Sequence, residues 1–316
     1  MDAVWPRWWS HEAEGSPSAR AELRFSVARR LGIDPRSLFE EQEAPRFLWK
    51  GEARFKHLSG EGDLERAGIT SFGRAIASIL LGATTDPSVD ISGRPARDLR
   101  EEILASGRPY VDLKDLLSLC WGIGIPVVYL RVFPWPRKRM SAMTVRLANR
   151  WAILLAKDSE YPAQIAFYIA HELGHIGHSH IRNDEVIVDL EEENAPEEDD
   201  EEEGEADAFA LELLTGYPEP IVLPDVESAP ASGRGLAQVA LAHAAELHIE
   251  PGTLALSFGH STKDWATAVA SLRLIYSEAK PAWLEVNRIA LSQLDLEDLS
   301  LDTTAFVQAV LGNPEQ

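Results

Sequence analysis

Residues 169–180 read IAHELGHIGHSH, which puts four histidines and one glutamate in twelve positions of a 316-residue chain with nine histidines in all. Within HELGH, His171 and His175 are four residues apart. On an α-helix that spacing places both imidazoles on one face, one turn above each other. Two imidazoles held so can take adjacent corners of a zinc tetrahedron. Glu172 lies beside them, within reach of a water at such a metal without being a ligand. Metal-assisted hydrolysis needs that set: the metal acidifies the water and a carboxylate takes its proton. The competing reading is a polar helix end with satisfied histidines, and a third ligand has to separate the two.

Working outward, DSEYPAQIAFY (158–168) carries apolar residues at helical spacing, with Asp158 or Ser159 to cap it and Pro162 in its first turn. An active-site helix is expected at about 161–179. A third histidine in the extended metzincin spacing would stand at position 181, which is Ile181, so that class is excluded. The alternative is a carboxylate from a second helix. EEEGEADAFALELLTG (201–216) reads as one, over about 201–215. Glu203 and Asp207 are four apart on one of its faces. Glu203 can complete a His-His-Glu set, and Asp207, one turn on, can accept the free ring N–H of a ligand histidine and fix its tautomer. Glu205 points roughly 160° around the helix from Glu203 and is the weaker candidate. Phe209, Leu213 and Leu214 read as core.

IAHELGHIGH followed about thirty residues later by EGEADAFALELL resembles the ImmA/IrrE family of zinc metallopeptidases, over residues from about 110 to 215. The resemblance implies a thermolysin-like (gluzincin) site on two helices, preceded by a small antiparallel sheet. It implies His171, His175 and Glu203 as Zn2+ ligands and Glu172 as general base, with Mn2+ able to serve in vitro. It also implies cleavage of a partner helix-turn-helix repressor, and so derepression of stress-response, mobile-element or phage-defence genes. Triggers by analogy are DNA damage, single-stranded DNA or metal availability. The long acidic insertion before Glu203 departs from the family pattern and enlarges the choice of third ligand. Tyr168, one turn before His171, and His178, one turn beyond His175, are candidate donors to a developing oxyanion. His180 is a weaker one. His243, His248 and His260 read as structural or exposed.

Upstream of the motif, IPVVYLRVF, SAMTVRLA and RWAILLAK are rich in Val, Ile and aromatics, and read as three antiparallel strands over about 125–157. Arg137, Lys138 and Arg139 mark a hairpin tip. The fold class expected is α+β and mostly helical: a small three-stranded antiparallel sheet packed on the HExxH helix, with further helices at 64–84, 96–106 and in VDLKDLLSLCWGIG. Three regions are expected: 1–60, an arm and hairpin; 61–216, the metallopeptidase domain; and 217–316, a C-terminal helical region after a Pro/Gly/Ser-rich connector. In the first region, VARRLGIDPRSLFE (27–40) resembles the centre of a repressor-type helix-turn-helix in degenerate form. Gly32 ends its first helix, and Asp34–Pro35 starts its second. A packing hairpin is the competing reading.

The composition narrows the function classes. No apolar run approaches the roughly 20 residues needed to span a bilayer, and no secretory signal opens the chain. One cysteine, Cys120 in LLSLCWGIGIPVVYL, excludes an intramolecular disulfide and a Cys-based zinc cluster, and reads as a buried inert thiol. Together these point to the cytoplasm and to no membrane partner. Of the formal charge of −21, thirteen acids lie in residues 189–207, leaving −8 for the remainder. That run reads as a solvated loop. Residues 1–60 are nearly balanced, with ten Lys/Arg against nine Asp/Glu, and carry Trp5, Trp8 and Trp9. Single-stranded DNA is therefore a candidate activator that could stack there. Two rival functions remain: a non-proteolytic, metal-stabilised regulator that binds DNA or a repressor, and one component of a toxin–antitoxin-like pair. A complete site that keeps Glu172 favours the enzyme, because a purely structural zinc needs no base.

Overall fold

Strands β2 (Val127–Tyr129), β3 (Met140–Leu147) and β4 (Arg150–Leu155) of the computed structural model are mainly apolar, and the reason is burial on both faces. Alternate residues serve opposite layers. Val127, Tyr129, Ala142, Ile153 and Leu155 join one core cluster, whereas Val128, Met143, Val145 and Leu154 join another. The structure describes residues 2–39, 45–49, 53–56, 63–87, 89–133, 140–157, 159–181, 186–190, 201–221, 232–278 and 280–312. Arg137, Lys138, Arg139, Asp158 and most of the acidic run lie outside them.

The elements run α1 (His11–Glu14), α2 (Pro17–Leu31), β1 (Ala53–Lys56), α3 (Asp63–Gly82), α4 (Ala96–Ala105), α5 (Leu113–Gly122), the strands β2 to β4, α6 (Pro162–Gly177), β5 (Val186–Leu190), α7 (Glu201–Thr215), α8 (Gly233–Leu247), α9 (Pro251–Thr262), α10 (Trp265–Ile275), α11 (Ala282–Gln293) and α12 (Leu301–Leu311). The fold is α+β and mostly helical. The sheet differs from the expected three antiparallel strands: it has five, in the order β1-β5-β3-β4-β2. Only the β3–β4 and β3–β5 pairings are antiparallel, whereas β2–β4 and β1–β5 are parallel. Strand direction and neighbour follow from how the chain returns to the sheet, and composition carries neither. The two outer additions were illegible for a simpler reason. ARFK is short and half basic, and VIVDL runs straight into the acidic stretch.

Between β3 and β4 the chain turns through Ala148 and Asn149, both left-handed at φ 49° and 63°. This is the two-residue turn whose twist suits a hairpin. At the far side of the sheet the edge strand β2 is covered by α11. The buried Asn287 accepts from the Tyr129 N–H at 2.7 Å and donates to the Tyr129 carbonyl at 2.8 Å and the Leu311 carbonyl at 2.6 Å. One side-chain amide thus closes part of an edge that would otherwise offer open ladder groups.

Helices α3 and α12 cover one sheet face, and α4 to α7 the other. At the N-terminus, α2 ends at Gly32 in the left-handed conformation, as the sequence predicts. The second helix expected after Asp34–Pro35 is instead a single 3-10 turn, Pro35–Phe39. Arg30 ties this end to the C-terminal part of the chain: it bonds the Val4 carbonyl at 2.7 Å, pairs with Asp302 at 2.5 Å and lies over the Phe306 ring. Among the described residues no helix is long and apolar enough to cross a membrane.

Candidate metal centre

The centre is built where α6 and α7 cross. Helix α6 begins at Pro162 and has no side-chain cap. Ser159, expected to cap it, instead braces the approach: its hydroxyl meets Gln164 Oε1 at 2.6 Å and accepts from the Tyr161 N–H at 3.0 Å. Along α6 every residue from Ile169 to Gly177 is buried, with His171 8% exposed and Glu172 and His175 fully enclosed. Gly174, inside HELGH, is what lets α7 approach. A Cβ there would lie 2.8 Å from Ala206 Cα and 2.9 Å from its carbonyl oxygen. The contact at Ala206 brings the flanking Glu203 and Asp207 against the histidines.

His171 Nε2 and His175 Nε2 lie 3.1 Å apart. Glu203 Oε2 is 3.3 Å from the first and Oε1 is 3.5 Å from the second. One ligand atom from each of the three residues falls within 4.8 Å of the others. Two imidazole nitrogens and one carboxylate, largely enclosed and converging on one point, are a donor set that fits a divalent transition metal. Asp207 Oδ1 is 2.8 Å from His171 Nδ1, the ring nitrogen turned away from the cluster. Glu172 does not join the three. It sits beside them, with Oε2 accepting from the Thr144 hydroxyl at 2.5 Å.

Thr144 goes beyond the sequence reading, and His180 and Glu205 take parts other than those it offered them. Thr144 is a fully buried threonine in strand β3, on the face that meets α6; a hydroxyl between Met143 and Val145 was the only signal. The other two form a chain behind His175. Its Nδ1 is 3.0 Å from His180 Nδ1, and His180 Nε2 is 2.8 Å from Glu205 Oε2. Local backbone geometry makes this possible. Ser179 is left-handed at φ 60°, so the chain doubles back over the helix end, and the His180 N–H bonds the His175 carbonyl at 3.0 Å. Glu205, pointing away from Glu203 as helical geometry demands, therefore reaches the centre through His180.

The oxyanion candidates are placed differently. Tyr168 lines a cavity beside the centre, with Lys157 Nζ 5.3 Å from its ring. His178 is exposed and groups with His180 and Glu205 rather than with the His171 set, its ring stacked on His180 at 5.4 Å. His260, read as structural or exposed, is exposed and also lines the cavity. His248 caps the end of α8 and meets the Pro109 carbonyl at 2.9 Å. Cys120 is fully enclosed in the core, and burial pushes its thiol up to about 12, as befits an inert packing residue.

Comparison with curated proteins and with solved structures gives no match. Comparison with family patterns matches residues 120–223 to the IrrE N-terminal-like domain, a metallopeptidase family, and the match takes in β2 to β5 and both helices of the centre. Over about a third of its length, then, this chain is similar to the IrrE N-terminal-like domain of a metallopeptidase family.

Proposed function

We propose that the protein is a zinc-dependent endopeptidase of the cytoplasm that cuts a partner helix-turn-helix repressor, and so derepresses stress, mobile-element or phage-defence genes. The observation that carries this reading is the convergence of His171, His175 and Glu203 beside a buried glutamate, Glu172, that is not among the converging donors. In this reading the three hold the metal through both Nε2 atoms and the Glu203 carboxylate. A divalent metal there, Zn2+ or in vitro Mn2+, supplies Lewis-acid polarisation of the scissile carbonyl and makes a nearby water more acidic. Glu172 takes the proton of the attacking water and returns it to the departing amide nitrogen. Thr144 keeps the Glu172 carboxylate aimed. Asp207 accepts the His171 Nδ1–H, fixing the tautomer that leaves Nε2 bare. On the other side His175 Nδ1–H donates to His180 Nδ1, and His180 Nε2–H donates to Glu205. Tyr168, on the cavity wall, is the donor assigned to the developing oxyanion; His178 is the second candidate.

Single-stranded DNA is the activator proposed. Trp5 and Trp8 are 46% and 39% exposed and gather around Trp9, with ring centroids 6.0 Å from it, a surface on which bases can stack. The test pairs wild type and Glu172→Gln with the helix-turn-helix repressor encoded nearest the gene, with Zn2+ or Mn2+, with and without single-stranded DNA. Expected is one cut by wild type, stimulated by the DNA, and none by Glu172→Gln at equal zinc content. Cutting by Glu172→Gln at the wild-type rate would remove Glu172 as the base. One zinc per chain with no cut under any condition would favour the non-proteolytic regulator.

A further inference from the structure

A cavity of about 300 Å³ opens beside the centre, between α6, α7, α9 and α10. Tyr168 and Asp207 belong to its wall, and Asp207 also meets His171 Nδ1 at 2.8 Å, so the cavity adjoins the donor cluster. One side of it lies outside the residues that match the family: Leu256, Ser257 and His260 of α9 and Trp265 of α10. Trp265 is 45% exposed, yet it is held in place, because Gly259 leaves room for the indole against α9; a Cβ at Gly259 would meet Trp265 Cε3 at 2.8 Å.

We infer that this cavity is a substrate subsite taking one large apolar side chain, aromatic or long aliphatic, of the segment being cut, and that the C-terminal helices thereby set sequence preference. The inference rests on the peptidase reading above. Phe167, Leu211, Leu256 and Trp265 give the wall its character, and among the described residues no lysine or arginine lines it. Asp207, the one carboxylate lining it among the described residues, already faces His171. An acidic side chain would lose hydration against the apolar wall and face the Asp207 carboxylate, and a lysine or arginine would lose hydration likewise. A small side chain would leave much of the space without contacts. The volume of about 300 Å³ has room for one large side chain.

The test uses two peptide hydroxamates that both chelate zinc, one carrying a benzyl and one a methyl side chain, titrated calorimetrically into the full zinc-loaded chain. Expected is a benzyl preference of about tenfold or more, in line with what apolar pockets give for added methylenes. Ala208→Phe, which fills the cavity from α7, should abolish the preference and leave methyl binding within about twofold. Leu256→Ala should weaken the benzyl compound severalfold, showing that α9 contributes. Equal affinity of the two compounds for wild type, or a preference untouched by Ala208→Phe, overturns the subsite; so does binding of neither. A benzyl preference without cleavage of any protein keeps the subsite and removes the peptidase reading, so the two failures are told apart. In parallel, a mixed peptide library should yield products with a large apolar residue at one fixed position beside the cut, and the Ala208→Phe variant should lose that bias.

Discussion

At the scale of the residue, the centre depends on which atoms each side chain has left to offer. His171 and His175 turn Nε2 inward because Asp207 and His180 occupy their other nitrogens. The pair was legible from spacing alone, since positions i and i+4 always share a helix face. Thr144 was not, because it lies 28 residues earlier and on a strand. A hydrogen bond to a charged group contributes about 1.5–3 kcal/mol. Thr144→Val is accordingly expected to lower kcat about 10–100-fold with zinc content and KM nearly unchanged, and Thr144→Ser to restore most of the rate. Steady-state kinetics beside a zinc assay checks this; a valine variant as fast as wild type would show that Glu172 needs no such support.

Among the elements, the crossing of α6 on α7 is decided by Gly174, where the two backbones come nearer than any side chain permits. Gly174→Ala must push Ala206 away and carry Glu203 and Asp207 with it. Overpacking of this kind costs about 1–3 kcal/mol. Here it should also weaken zinc binding by an order of magnitude or more, seen as a lower urea midpoint in the zinc-free chain together with a weaker zinc titration. The glycine stood in plain view within HELGH, but nothing in sequence said what would lie against it. Similarly, both helices were placed to within two residues, and β3–β4 is antiparallel as expected, whereas two strands and the parallel pairing of β2 were missed. Helices are held by contacts between neighbours in sequence. A strand is defined by a partner that can come from anywhere in the chain.

For the whole molecule, contacts run across the boundaries that composition suggests at residues 60 and 216. Strand β1 joins the sheet, Arg30 grips α12, and Asn287 of α11 closes the edge of β2. Arg100 of α4, 7% exposed, donates to the Leu213 and Leu214 carbonyls at the end of α7 and to the His248 carbonyl at the end of α8. Helix α9 is joined to α10 through a buried glutamate. Glu250 caps α9 by accepting from the Thr253 N–H at 2.7 Å, and the Tyr276 hydroxyl donates to it at 2.5 Å. Burial raises its carboxyl above the ordinary 4.5, despite hydrogen bonds that pull the other way. The folded state therefore holds this proton more tightly than the unfolded chain. The stability it contributes is full below pH 4.5 and is lost as pH rises through the raised value. Glu250→Gln, which cannot ionise, should thus gain stability relative to wild type between pH 4 and 8, measured by urea unfolding at each pH. A difference that does not change with pH would mean that the group titrates alike in both states.

By itself the sequence determined the apolar faces, the helix carrying HELGH, the helix carrying Glu203, and the chemistry open to them, because each depends on residues a few positions apart. Only the tertiary structure decided that Glu203 converges on the two histidines while Glu205 reaches His180, that Thr144 holds Glu172, and that α9 and α10 wall the cavity. Those relations join segments tens of residues apart. They are settled by how closely two backbones pack and by which buried polar groups must find partners once water is gone.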